Sequence, residues 1–164
     1  MTNPRKPAGR KPQPSRKQAG RKAQPSSEAT NTAALLTAAK EALEQFLEVQ
    51  VDDDGALTFQ HAGVPGAVSA VQLAEGLVVL SMTCVVAWDV PADGDGDGDV
   101  AAGLALRAGE GMFGTLGAVR TERGYDVTLR YAFPAAGLDA TPLGTLLMLV
   151  ISTASQLRSE LLAQ

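Results

Sequence analysis

The stretch LVVLSMTCVVAW, residues 77–88, decides how this chain is read. Val78, Leu80, Met82, Cys84, Val86 and Trp88 recur at every second position, and Ser81 and Thr83 stand between them. Successive side chains on a strand point to opposite faces, so the pattern predicts one long strand with a continuous apolar face. A second stretch, YDVTLRYAF at residues 125–133, sets Tyr125, Val127, Leu129, Tyr131 and Phe133 against Asp126, Thr128 and Arg130. It predicts another strand of the same kind, paired through a turn at Arg123-Gly124 with a short strand over Ala118–Thr121.

Working upstream, Glu75-Gly76 predicts a tight reversal preceded by a strand with Ala67, Ser69, Val71 and Leu73 on one face. Residues Ala62 to Gly66 read as a turn, and Leu57, Phe59 and His61 alternate with Thr58 and Gln60 as a further strand. The Asp52-Asp53-Asp54-Gly55 cluster reads as the turn between that strand and a helix. The helix is expected to start at Thr30 or Asn31, either of which can cap it, and to end near Val49. Leu35, Leu36, Ala39, Leu43, Phe46 and Leu47 form its apolar stripe.

Downstream, Pro91 to Asp99 shows no hydrophobic period and is expected to be a loop. Residues Val100 to Phe113 read as a helix, although Gly103, Gly109 and Gly111 each cost about 1 kcal/mol relative to alanine. Thr141-Pro142 marks the start of a final helix, with Thr141 as the cap. Leu143, Leu146, Leu147, Val150, Ile151, Ala154, Leu157 and Leu161 supply its stripe. The expected fold is therefore α+β: an antiparallel five-stranded sheet with helices, in the order α-β-β-β-α-β-β-α.

A disordered basic tail is expected over residues 1–29, ahead of a folded domain over 30–164. The 164 residues carry a net charge of −4, but the charge is divided. Eight basic residues and no acidic one precede Glu28: Arg5, Lys6, Arg10, Lys11, Arg16, Lys17, Arg21 and Lys22. From Glu28 onward lie the other six basic and all eighteen acidic residues, giving +8 and −12. With almost nothing apolar to bury, the tail cannot offset the entropy of ordering itself.

Catalytic and metal-binding patterns are lacking. Asp93, Asp95, Asp97, Gly98 and Asp99 imitate the first half of a calcium loop, but its twelfth position is Leu104 where a bidentate glutamate is required. His61 is the only histidine and no Cys-x-x-Cys accompanies it, which leaves no zinc set. Ser69, Ser81 and Ser152 stand in no nucleophile-elbow context. Cys84, the one cysteine, sits among apolar residues as inert core and points to a reducing, cytoplasmic setting. The longest apolar run near the C-terminus, Leu146 to Ile151, is too short to cross a membrane, and no cofactor is expected.

The element order, together with LTFQH at 57–61, LVVL at 77–80 running to WDVP at 88–91, FGTLGAV at 113–119 and YDVTLRYAFP at 125–134 leading into Gly137-Leu138-Asp139, resembles the YbjN-like family. Members of that family share a fold with type III secretion chaperones. The resemblance covers roughly residues 32–162. It implies a non-enzymatic, often dimeric domain that binds a segment of another protein, and it brings no catalytic residues. The polar strand positions Thr58, Gln60, Thr128 and Arg130 are the expected partner-binding face. The alternative is nucleic-acid association, in which the eight basic tail residues neutralise phosphates and release counterions. The tail is also able to contact the acidic domain.

Overall fold

The structure, a computed structural model, describes residues 27–91, 103, 106–108 and 111–163. It is α+β, with α1 (Ser27–Leu43), β1 (Val49–Val51), β2 (Leu57–His61), β3 (Val64–Ala74), β4 (Leu77–Val90), β5 (Thr115–Arg120), β6 (Tyr125–Pro134) and α2 (Ala140–Leu162). The strands form one antiparallel sheet in the order β1-β2-β3-β4-β6-β5. Among the described residues six strands replace the expected five, and the elements run α-β-β-β-β-β-β-α. The middle helix expected over 100–113 falls largely outside the described residues, of which Gly103, Leu106 and Arg107 are helical. The tail and the Asp93–Asp99 loop also lie outside them.

The additional strand, Val49–Val51, begins where the first helix was expected to end. That helix begins at Ser27, so Thr30 and Asn31 lie within it, and it ends at Leu43. Val49–Val51 then pairs with Leu57–Phe59, and the Asp cluster closes a β-hairpin where a helix-to-strand turn was expected. Asp52 closes the turn by accepting bonds from the amides of Asp54 (3.1 Å) and Ala56 (2.8 Å). Phe46, expected on the buried stripe, is left exposed past the helix end, near Gly144 of α2.

One further turn is tighter than the sequence suggests. The expected Ala62–Gly66 turn shrinks to Ala62 (φ +48°) and Gly63 (φ +77°), a two-residue hairpin of the type that needs positive φ at both positions. Strand β3 therefore runs from Val64, which moves Val64 and Val68 onto the core face. Ala67, Ser69 and Val71 share the opposite face, as grouped from the sequence, and Val71 and Leu73 are exposed. Asp139 holds the N-cap position of α2 without a side-chain capping bond, and its carbonyl accepts the first helical bond from the Leu143 amide at 3.1 Å. Thr141 is thus inside the helix, and Pro142 occupies its first turn, where a missing N–H is tolerated.

Both helices pack on one face of the sheet, against each other and against β3 and β4. The core joins Ala39, Ala42 and Leu43 of α1, Leu143, Leu147, Val150, Ile151 and Ala154 of α2, and Val68, Leu80, Met82, Cys84, Val86, Val127 and Leu129 of the sheet. By length and mean hydropathy (1.3) α2 passes for a membrane span, yet its apolar stripe is buried in this core.

Candidate interaction surface

The helices leave the other sheet face uncovered among the described residues. Strand alternation assigns its side chains. With Leu57, Phe59, Leu129 and Phe133 buried in the core, Thr58, Gln60, Thr128 and Arg130 all point to the helix-free side. Gln60 and Arg130 are exposed, and Thr58 and Thr128 are half-buried. The register places Gln50, Thr58, Ala67, Thr83, Arg130 and Thr115 in one row across all six strands. Thr58 and Arg130 therefore belong to one surface, but three strand spacings, about 14 Å, separate them. Thr83, absent from the sequence-based set, lies beside Arg130, whose Nε is 3.5 Å from the Thr83 hydroxyl.

The sequence reading missed the apolar half of this face. Trp88 was expected on the apolar face with Val78 to Val86, but it is 57% exposed. Its displacement has a local cause. The register of β4 against β6 slips between Val85 and Ala87 and again between Ala87 and Val90, so Val86 and Ala87 are both buried and the alternation restarts in the opposite phase. Asp89 follows at φ +51°; its amide donates to Asp126 Oδ1 at 3.0 Å and its carboxylate pairs with Arg123 at 3.1 Å. Arg158 of α2 donates to the Val86 carbonyl at 2.9 Å, satisfying an acceptor in the bulge. Val71, Leu73, Leu77 and Val119 are also exposed.

The sheet's β1–β3 side carries a depression of about 510 Å³ lined by Glu48, Gln50, Thr58, Phe59, Gln60 and Pro65. A cavity of about 270 Å³ on the helix side is bordered by Arg107 and Glu160, an ion pair at 2.9 Å, with Thr153 and Gln156. Neither unites a nucleophile with a base. Among the described residues no three His, Cys, Asp or Glu side chains gather to hold a metal. Cys84 is fully buried, and burial pushes its thiol up to about 12, which suppresses the nucleophilic thiolate. His61 ends β2 opposite Val64. The eight basic tail residues lie outside the described residues.

No family model matches this chain, and no curated protein is significantly similar to it.

Proposed function

We propose that this chain is a non-enzymatic protein-binding domain, chaperone- or adaptor-like, whose helix-free sheet face receives its partner. One observation carries the reading: among the described residues the helices cover one side of the six-stranded sheet, and the other side displays exposed Val71 and Leu77 at one end and Trp88 and Val119 at the other, among small and hydroxylated residues. Exposed apolar side chains on an uncovered sheet face favour an interaction surface. Thr58, Gln60, Thr128 and Arg130 supply hydrogen bonds around them. The resemblance to the YbjN-like family favours the same function. The test is recovery of partner proteins from native lysate by the full chain and by a Val85→Arg variant, which puts a charge in the middle of the face. Equal recovery by both removes the face from the reading.

The tail supports a second reading, sequence-independent binding of phosphate backbones by its eight basic residues. DNA affinity that falls steeply with salt, and that vanishes on deleting residues 1–26, is the expected result. Binding that persists without the tail rejects it.

A further inference from the structure

We propose that the basic segment ahead of α1 docks in cis on the β1–β2 side of the helix-free face, with Lys11 against Glu48, and so competes with an outside partner for that surface. The inference rests on the reading of the face as a protein-binding surface and adds its regulation.

The receiving surface is the depression of about 510 Å³ over β1–β3. Val49 and Phe59 are buried cross-strand partners, so alternation puts Glu48 and Gln50 on the helix-free side, with Thr58 and Gln60 beside them. Glu48, Gln50 and Gln60 are exposed. Among the described residues, none of Glu48, Gln50, Thr58 and Gln60 has a side-chain hydrogen bond or ion pair. Two amides and a hydroxyl are therefore available to donate, beside a carboxylate with no counter-charge.

Charge selects the occupant. Asp52, Asp53 and Asp54, all exposed, follow at the other end of β1, so this half of the sheet is acidic. The described cations nearby are engaged elsewhere: Lys40 pairs with Glu44 on α1, and Arg158, on the helix side, donates to the Val86 carbonyl. His61 ends β2 opposite Val64, on the core-facing side. Arg130 shares the helix-free face but lies about 14 Å from Thr58. Asp89, Arg123 and Asp126 belong to β4, β6 and the turn before β6, on the other half of the sheet. Residues 1–26 bring eight positive charges and no negative one.

Chain length selects the residue. The 17 residues of α1 make a helix about 25 Å long, and Glu48 lies five residues past its end. Extended backbone advances at most about 3.4 Å per residue, so from Ser27 the chain carries Lys22 no further than ~17 Å, Lys17 ~34 Å and Lys11 ~54 Å. Lys22 stops short of the end of α1, and Lys17 arrives only when fully stretched. Lys11 has the length to round the β1 edge. Chemistry agrees: Pro12 and Pro14 lack an N–H, so the stretch after Lys11 offers mainly carbonyls, which the Gln50 and Gln60 amides and the Thr58 hydroxyl can satisfy.

Zero-length carbodiimide cross-linking of the full chain, read by mass spectrometry of its peptides, tests the proposal. Lys11 is expected to join Glu48 in a yield unchanged by about tenfold dilution, and to outdo Lys22 at least about fivefold. Gln60→Arg, at the exposed position beside Glu48, supplies a counter-charge without a reactive amine and should cut that yield at least about threefold. Arg10→Glu, ahead of α1, should do the same without touching the sheet. Absence of the Lys11–Glu48 product, a yield that falls on dilution, or a yield indifferent to both variants overturns the proposal. If the product is absent while Val85→Arg still abolishes partner recovery, the segment is overturned as occupant and the face stands. A dilution-independent product with recovery unchanged by Val85→Arg upholds the docking and overturns the wider reading.

Discussion

The ring of Phe59 fills the space beside Gly66: the two are cross-strand partners, and a Cβ on Gly66 would stand 2.3 Å from Phe59 Cζ. The glycine is where β3 lets an aromatic ring from β2 lie against backbone in the core. Gly66→Ala should therefore cost about 1–3 kcal/mol through overpacking, and Phe59→Ala about 3–5 kcal/mol through the cavity it leaves. In the double variant the alanine at 66 no longer meets a ring. Urea denaturation of the four proteins should show a total loss smaller than the sum of the two single losses; simple additivity contradicts the contact.

Ala62 holds φ +48° in the β2–β3 turn, a conformation that favours glycine or asparagine. Ala62→Asn creates the Asn-Gly pair preferred by this turn and should raise stability by about 0.5–1 kcal/mol. A higher thermal midpoint for the variant checks it, and a lower one argues for a different turn.

Arg158 ties α2 to the bulged stretch of β4 through the Val86 carbonyl, at 2.9 Å. Arg158→Met keeps an unbranched apolar stem but loses the donor, leaving a part-buried carbonyl short of its partner. The expected loss is about 1–3 kcal/mol. Amide exchange should rise first around residues 85–90, since the bond braces that segment; uniform acceleration across the sheet would speak against a local role.

Cys84 should resist thiol-modifying reagents in the folded protein and react once denaturant exposes it. Its pKa is raised by burial from 9.0 to about 12. The folded state thus retains the thiol proton over a range in which the unfolded chain releases it. This contribution to stability is intact below pH 9.0 and declines as pH rises toward about 12. Denaturation midpoints for the native chain and Cys84→Ala, compared between pH 8 and pH 10.5, should show a steeper decline in the native chain.

Much of the sheet was legible because alternation is written residue by residue. Tyr125, Val127, Leu129, Tyr131 and Phe133 share the core-facing side of β6 as their spacing predicted, and Leu143, Leu147, Val150 and Ile151 line the buried side of α2. Thr58, Gln60, Thr128 and Arg130, read from the sequence as polar strand positions, lie on one face of the sheet. The apolar members of that face were misread wherever phase depended on a neighbour. Trp88 continues the period of Val78 to Val86 in sequence, and only the slip against β6 turns it outward.

By itself, then, the sequence determined the class of the fold, the two strands at its centre, the final helix and the division of charge between tail and domain. These follow from period and composition, which each segment carries alone. Tertiary structure decided the sixth strand, the edge position of β5 beyond β6, the outward turn of Trp88 and the sheet face that the helices leave bare. The reason is that Val49–Val51 has too few residues to be a strand without β2 beside it. A bulge likewise exists only as a mismatch between two paired strands, so neither feature can be written in one segment.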